Sequence, residues 1–241
     1  MKLQHVYCVG MSRSGGTLQF QIVREIMARY APNVKVTKNE IYREKVSASI
    51  DNDSNKGVGI YRDFRDVVVS LRGFYTRRAK YYKSNPDQLT REKKGKPAFT
   101  DESYWTFENT LADAVKNTLT WQKGWEENEN IYFVRYEDIW PGSLWDIETA
   151  NVAHFCLGYY IKPKDAVEIA SKYNILENID RIDFMKKWFD APGSFLTKGH
   201  IGVACGRPEL WRTALTDDQV LAIEEIAGEW LVSHGYRLAS G

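Results

Sequence analysis

A single α/β domain with a central parallel β-sheet flanked by helices is the architecture this sequence predicts. Three observations predict it. Short apolar segments alternate with segments of helical periodicity, the pattern of strands joined by helical crossovers. The first apolar segment runs into a glycine turn and then a helix, at VGMSRSGGT, residues 9–17. No internal repeat or linker divides the 241 residues, and 43% hydrophobic with 27% charged residues suffices for one packed core.

Taken in order, Leu3 to Val9 is short, apolar and partly β-branched, and reads as the first strand. From Thr17, the residues Leu18, Ile22, Val23, Ile26, Met27 and Tyr30 recur at helical spacing until Pro32 and Asn33. Val34 to Lys38 reads as a second strand, followed by a polar helical passage, and Gly57 to Tyr61 as a third strand. Asp63 or Asp66 caps the next helix, whose apolar side carries Val67, Val68, Leu71, Phe74 and Tyr75. Residues 77–97 hold eight cations against two acids, with Pro and Gly, and read as a mobile, solvated connection. A helix is expected over 102–127, a strand over Asn130 to Arg135, and helices over 143–157, 163–171 and 175–189. A Gly-rich loop at 191–206 precedes a final amphipathic helix from Thr216 to Ser233.

Composition narrows the function classes. A net charge of +1 gives no global case for nucleic acid or a membrane surface, so neither is an expected partner and any basic site is local. Cys8, Cys156 and Cys205 are too few and too far apart for a disulfide framework, which fits a reducing, cytoplasmic setting. The start, MKLQHVYCVG, enters a strand with no long apolar run before it, arguing against a cleaved signal peptide or an anchor there. Four scattered histidines show no metal-ligand spacing, and no metal is expected.

The turn after the first strand carries the chemistry. It has both glycines and the closing threonine of G-x-x-x-x-G-K-[ST], but Gly16 occupies the lysine position and Arg13 is the loop's only cation. Backbone N–H groups and the positive end of the following helix converge there, which suits an anion. Without the lysine the triphosphate reading weakens, and Arg13 can set a guanidinium fork over a terminal anionic group. The bland alternative is an ordinary strand-to-helix turn.

A second pattern, Tyr61-Arg62-Asp63-Phe64-Arg65-Asp66 followed by Ser70, puts an arginine at a strand end and a serine two turns into a helix. Together the two patterns resemble the PAPS-dependent sulfotransferases, whose donor is 3′-phosphoadenosine 5′-phosphosulfate (PAPS) and whose product is 3′,5′-ADP (PAP). Arg13-Ser14-Gly15-Gly16-Thr17 is similar to the family's K-S-G-T-T phosphosulfate loop, and the segment around Arg62, Asp66 and Ser70 to its Y-x-x-R-x-x-x-D-x-x-x-S motif for the 3′-phosphate. Val36-Thr37-Lys38-Asn39-Glu40 resembles the strand ending in K-T-H, and Tyr132 to Ile139 the strand ending in Y-E-D-L. Phe195 to Gly202 resembles the late R-K-G-x-x-G loop, and Trp211-Arg212 the W-K after it.

The resemblance implies sulfuryl transfer to an acceptor hydroxyl or amine, without a metal. It implies that Arg13 stands beside the bridging oxygen and that Ser14, Gly15, Gly16 and Thr17 supply backbone and hydroxyl donors. Arg62 and Ser70, with Lys198 and Gly199 from a cofactor-closing loop at 191–212, would hold the 3′-phosphate. Glu40 stands where cytosolic members carry histidine, and a carboxylate base with Lys38 beside it is the implied catalytic pair; Glu44 and His200 are its rivals, and the bland reading is that Glu40 starts a helix. Leu18 replaces a tryptophan that stacks on adenine, so stacking falls to Tyr173 in Ser171-Lys172-Tyr173-Asn174. Thr197 replaces an arginine, and twelve residues lie between Lys198 and Trp211, a longer loop than usual.

The acceptor is less legible: a small molecule or a glycan, met on the side of residues 77–100, where Tyr81, Tyr82, Phe99, Tyr104, Trp105 and Phe107 either line a pocket or form core. Two other classes remain open at this point. A small-molecule kinase using ATP and Mg²⁺ would need a metal-binding carboxylate, for which Asp138 is the stand-in. A non-catalytic nucleotide-binding protein would keep the cradle alone.

Overall fold

The structure, a computed structural model, describes residues 2–88, 101, 106, 110–140, 144–174, 176 and 206–239. Four of the apolar segments become strands: β1 (His5–Gly10), β2 (Lys35–Asn39), β3 (Asn55–Tyr61) and β4 (Ile131–Arg135). All are parallel, in the order β2-β1-β3-β4. Each strand lies within one to two residues of its expected position. This is the parallel sheet flanked by helices, in one α/β domain, that the sequence predicts, and the domain divides into two compact units.

The first unit, Met1–Arg62 with Thr118–Ile182, contains the whole sheet. Its helices are α1 (Gly16–Tyr30), α2 (Glu44–Ile50), the part of α4 (Ala112–Glu126) from Thr118 onward, α5 (Tyr136–Ile139), α6 (Trp145–Leu157) and α7 (Pro163–Lys172). Parallel strands bury both faces, so β1 and β4 read as mostly apolar runs, whereas β2, at the edge of the sheet, is the polar KVTKN. On one face Val9, Ile50, Trp125 and Ile131 form a cluster, with Tyr7, Tyr42, Val46 and Phe133 packed around it. Alternation turns Val6 and Cys8 to the other face, where α1 covers the sheet and packs in turn on α6 and α7.

Polar bonds lock α1 to α7. Glu25 accepts from Lys172 Nζ at 2.7 Å and from Tyr173 Oη at 3.1 Å, while Arg29 Nε holds its other oxygen at 2.9 Å. Arg29 also reaches Glu168 at 2.8 Å, and Tyr30 donates to Asp165 at 2.6 Å. Partial burial alone would raise the Glu25 pKa; the bonds from Lys172, Arg29 and Tyr173 outweigh it and hold the carboxyl below its ordinary range.

The second unit, Asp63–Asn117 with Asp183–Gly241, is helical: α3 (Phe64–Ser84), α8 (Trp211–Ala214) and α9 (Asp217–Ser233). The expected caps are present. Asp63 accepts from the Arg65 amide at the start of α3, and Thr216 with Gln219 forms a capping box at α9. Arg65 is buried, bound by both Asp63 oxygens and by Glu224 at 2.7 Å, with its guanidinium 4.0 Å from the centre of the Trp211 ring. Burial opposes that charge; Asp63 and Glu224 overcome it and raise the Arg65 pKa. Asp66 takes the amides of Glu209 and Trp211 at 2.7 and 3.0 Å, fixing the chain before α8 to the first turn of α3.

Two readings of the sequence are corrected. Residues 77–84 are helix, not connection, because α3 continues to Ser84. Arg, Lys and Ala are good helix formers, and Ala79 and Tyr82, three apart, are buried on one side. Lys80 and Lys83 are exposed while Arg77 and Arg78 are half-buried, and the helix stops at Asn85, where Pro86 disfavours another helical residue. As expected, β4 ends at Arg135, and Tyr136 of the Y-E-D-I segment opens the helical turn α5. Glu40 starts no helix, since α2 begins at Glu44 with Arg43 as its cap. All of the helix expected at 175–189 but Leu176, most of the start of the 102–127 helix and the loop carrying Lys198, Gly199 and His200 lie outside the described residues, as does Cys205.

The α1–α7 lock gives a pH prediction. A carboxyl whose folded pKa is depressed stabilises the fold above its unfolded value, about 4.3, and loses that contribution as pH falls through the lower folded value. Melting curves from about pH 6 to about pH 3 should therefore show a shallower acid decline for Glu25→Gln than for the unaltered chain, with a lower melting temperature for the variant at the neutral end.

Candidate active site

Because the strands are parallel, all four deliver their following residues to one edge of the sheet. β1 and β3 are neighbours, and their onward connections leave in opposite directions, to β2 and to β4. That is a topological switch point, where open α/β sheets leave a crevice at the carboxyl ends of the strands. The loop after β1 and Arg62 after β3 flank it.

The loop is shaped by glycines for definite reasons. Gly10 has φ +123°, and a Cβ there would lie 2.2 Å from the Ile60 carbonyl oxygen of β3. Gly15, the cap of α1, has φ +95°, and its Cβ would strike the Tyr136 ring at 2.5 Å. The first intrahelical bonds of α1 come from the Leu18 and Gln19 amides to the Gly15 carbonyl, so the N–H groups of Gly16 and Thr17 stand at the open helix end. No acidic residue occupies that first turn. Arg13 sits at φ +68°, a left-handed conformation that costs a non-glycine residue about 1–2 kcal/mol. Strain of this kind collects at functional positions. Ser14, expected among the donors to a ligand, is fully buried, and its hydroxyl donates to the Met11 carbonyl at 2.6 Å, holding the turn closed.

The residue that reaches this helix end from a neighbouring strand is Lys38. Its register opposite Cys8 puts it near the end of β2, beside the loop. Nζ donates to Thr17 Oγ1 at 2.7 Å and pairs with Glu40 Oε1 at 2.8 Å. Ser12 Oγ lies 3.5 Å from the other Glu40 oxygen. Gly16 faces this pair: a Cβ on it would lie 3.5 Å from Glu40 Oε1 and 3.6 Å from Lys38 Cε. The ammonium missing from the loop is thus supplied at the same threonine from β2. Glu40 itself is held by its neighbours, with Tyr42 two residues on packed against the bare face of Gly124 and edge-on to Trp125, 4.9 Å between ring centres.

Arg62 is 4% exposed, and its guanidinium carbon lies 4.3 Å from the centre of the Tyr136 ring, a cation–π contact. Tyr136 therefore touches both halves of the crevice, Gly15 on one side and Arg62 on the other, and stacks on Trp140. The sequence reading gave Tyr136 no role; an aromatic directly after a strand whose neighbours end in glycine and arginine is the available signal. Ser171 and Tyr173 lie at the end of α7 in the same unit, with the Tyr173 hydroxyl committed to Glu25 and, through burial first and Glu25 second, a pKa pushed up to about 12. Ser70 lies on α3, in the second unit.

Neither of the two described cysteines is reactive. Cys8 and Cys156 are buried; burial first, and each other's proximity next, raise the Cys8 thiol well above its ordinary value, and burial takes Cys156 to about 12. Both are thiols, not thiolates, at neutral pH. Among the described residues no cluster of His, Cys, Asp or Glu is placed to hold a metal, and no helix is long and apolar enough to cross a membrane.

The family comparison decides between the classes the sequence left open. Residues 38–233 match the sulfotransferase domain family. The chain belongs to that family. The match begins at Lys38, so the loop at 10–17 is recognised by its own residues and geometry. Among solved structures, the fold is similar to that of a mouse sulfotransferase, SULT7A1, complexed with PAP, at TM-score 0.60 and 13% identity, covering 95% of this chain and 84% of that one. It is also similar to retinol dehydratase in complex with androsterone and inactive cofactor PAP, at TM-score 0.57 and 14% identity, covering 100% and 84%. A retinol dehydratase complex with retinol and PAP gives TM-score 0.52 and 14% identity, covering 98% and 84%. At such identities the likeness is one of fold. No curated protein sequence matches significantly.

The strained arginine yields a prediction of opposite signs. Arg13→Gly removes the left-handed penalty of about 1–2 kcal/mol and adds about 0.5–1 kcal/mol of unfolded-chain freedom, so the melting temperature should hold or rise slightly. If Arg13 contacts the nucleotide, as the resemblance implies, the same variant should weaken 3′,5′-ADP binding, measured by calorimetry, by about tenfold or more.

Proposed function

We propose that this sulfotransferase-family chain moves a sulfuryl group from PAPS to the hydroxyl or amine of a small-molecule or glycan acceptor, with Glu40 as general base. The observation that carries the proposal is the triad of Thr17, Lys38 and Glu40, which joins a carboxylate to an anion-accepting helix end through one ammonium. The residues fit the donor. The bare Gly16 leaves the loop open to an anion, and the Gly16 and Thr17 amides, Arg13 and Lys38 suit a 5′-phosphosulfate. Arg62, braced by Tyr136 across the switch point, suits the 3′-phosphate that separates this nucleotide from ATP.

The donor supplies a sulfuryl group already bonded to a good leaving phosphate. Glu40 accepts the proton of the acceptor O–H or N–H as that atom bonds to sulfur, and the sulfur–oxygen bond to the 5′-phosphate breaks with its electron pair staying on the phosphate oxygen. Lys38 and Arg13 stabilise that charge electrostatically; arginine keeps its proton, so Arg13 is no general acid. A hydroxyl acceptor of small size is favoured by the androsterone and retinol held by the structurally similar retinol dehydratase.

Calorimetry with 3′,5′-ADP, 5′-AMP and ATP plus Mg²⁺ tests the reading. The account expects 3′,5′-ADP to bind without metal and about tenfold or more tighter than 5′-AMP. Preference for ATP with Mg²⁺ would replace it with the kinase reading. Glu40→Gln should keep nucleotide binding and lose about 10²- to 10⁴-fold in kcat; undiminished turnover would remove Glu40 as the base.

A further inference from the structure

Lys38 is asked to do two things at once. In the structure its ammonium is pinned between Thr17 Oγ1 and Glu40 Oε1, at 2.7 and 2.8 Å. An ammonium is a compact charge with three donors and no fixed plane, so it can exchange partners by a small rotation about its stem. The pair is reachable from solvent, with side-chain exposures of 20% for Lys38 and 37% for Glu40. It also lies directly over Gly16, the residue whose amide opens α1, with no side chain between. An anion seated on the Gly16 and Thr17 amides therefore arrives beside the ammonium that Glu40 already holds.

We propose that Glu40 and the 5′-phosphate of the nucleotide compete for Lys38, so that occupancy of the loop releases Glu40 from its ion pair. A carboxylate whose oxygen is held by an ammonium is a poor proton acceptor; released, it is a better one. The device keeps the base masked until the donor is present. It is specific to this chain's pairing of a lysine with a carboxylate two residues on: an imidazole at position 40 would not hold an ammonium in this way. Linkage makes the coupling reciprocal, so the charge of Glu40 must also weaken nucleotide binding.

This inference rests on the nucleotide reading above, and its test separates the two. The probe is 3′,5′-ADP, titrated by calorimetry into the full chain and into Glu40→Gln, Lys38→Met and the double variant. If 3′,5′-ADP fails to bind the unaltered chain, the nucleotide reading falls and this inference with it. If it binds, competition predicts that Glu40→Gln tightens binding about three- to fivefold, the worth of a partly exposed ion pair. It predicts further that this gain vanishes in the Lys38→Met background, where there is no ammonium to contest. An equal gain in both backgrounds would mean plain repulsion between Glu40 and the phosphate, and would overturn the inference. No gain, or a loss, in the single Glu40→Gln variant would overturn it as well. Lys38→Gln serves as a second neutral variant should Lys38→Met lower the melting temperature.

Discussion

The parallel register of β1 with its two neighbours is the constraint on which the rest depends. Pairing Cys8 with Lys38 and Gly10 with Ile60 sets the ends of β2 and β3 on either side of the loop at 11–17. A shift of one residue in β2 would turn Lys38 to the opposite face of the sheet. Two backbone demands maintain this arrangement: Gly10 lets β1 press against the Ile60 carbonyl, and Gly15 lets the loop close over Tyr136. The chemistry is thus a consequence of pairing geometry, with few side chains needed beyond it.

Within that frame the site solves an electrostatic problem with borrowed charge. A loop of this outline ordinarily carries its own lysine, and this one has glycine there. The neighbouring strand provides an ammonium at the same threonine, and the same ammonium tethers the carboxylate proposed as base. Arg13, held in a left-handed conformation, and Arg62, seated on an aromatic ring, supply cations on either side. Arginine presents a fixed fork and lysine a mobile point charge, which matches firm anchoring at two positions and partner exchange at the third. The second unit spends its buried charges differently. Asp63, Arg65 and Glu224 neutralise one another around Trp211, and Asp66 binds backbone amides.

Much of this was legible in the sequence, for identifiable reasons. Strands buried on both faces announce themselves as apolar runs, and the glycine turn, the arginine at the end of β3 and the caps at Asp63 and Thr216 are local signals. What escaped detection was tertiary or ambiguous. That the Ser14 hydroxyl closes the turn on Met11 could not be read from the sequence, where a hydroxyl in a loop has no visible partner. Tyr136 was missed because its role lies in touching Gly15 and Arg62, more than seventy positions away. The helical continuation over 77–84 was hidden by charge, which says little about backbone conformation.

The central claim is that one nucleotide spans the crevice from the turn at Gly16 and Thr17 to Arg62. A crystal structure with 3′,5′-ADP bound tests it most directly. The account predicts the 5′-phosphate within hydrogen-bonding distance of the Gly16 and Thr17 amides and of Lys38, and the 3′-phosphate on the Arg62 guanidinium. A nucleotide bound with either phosphate elsewhere, or with Lys38 still on Glu40 and turned away from the phosphate, would contradict it.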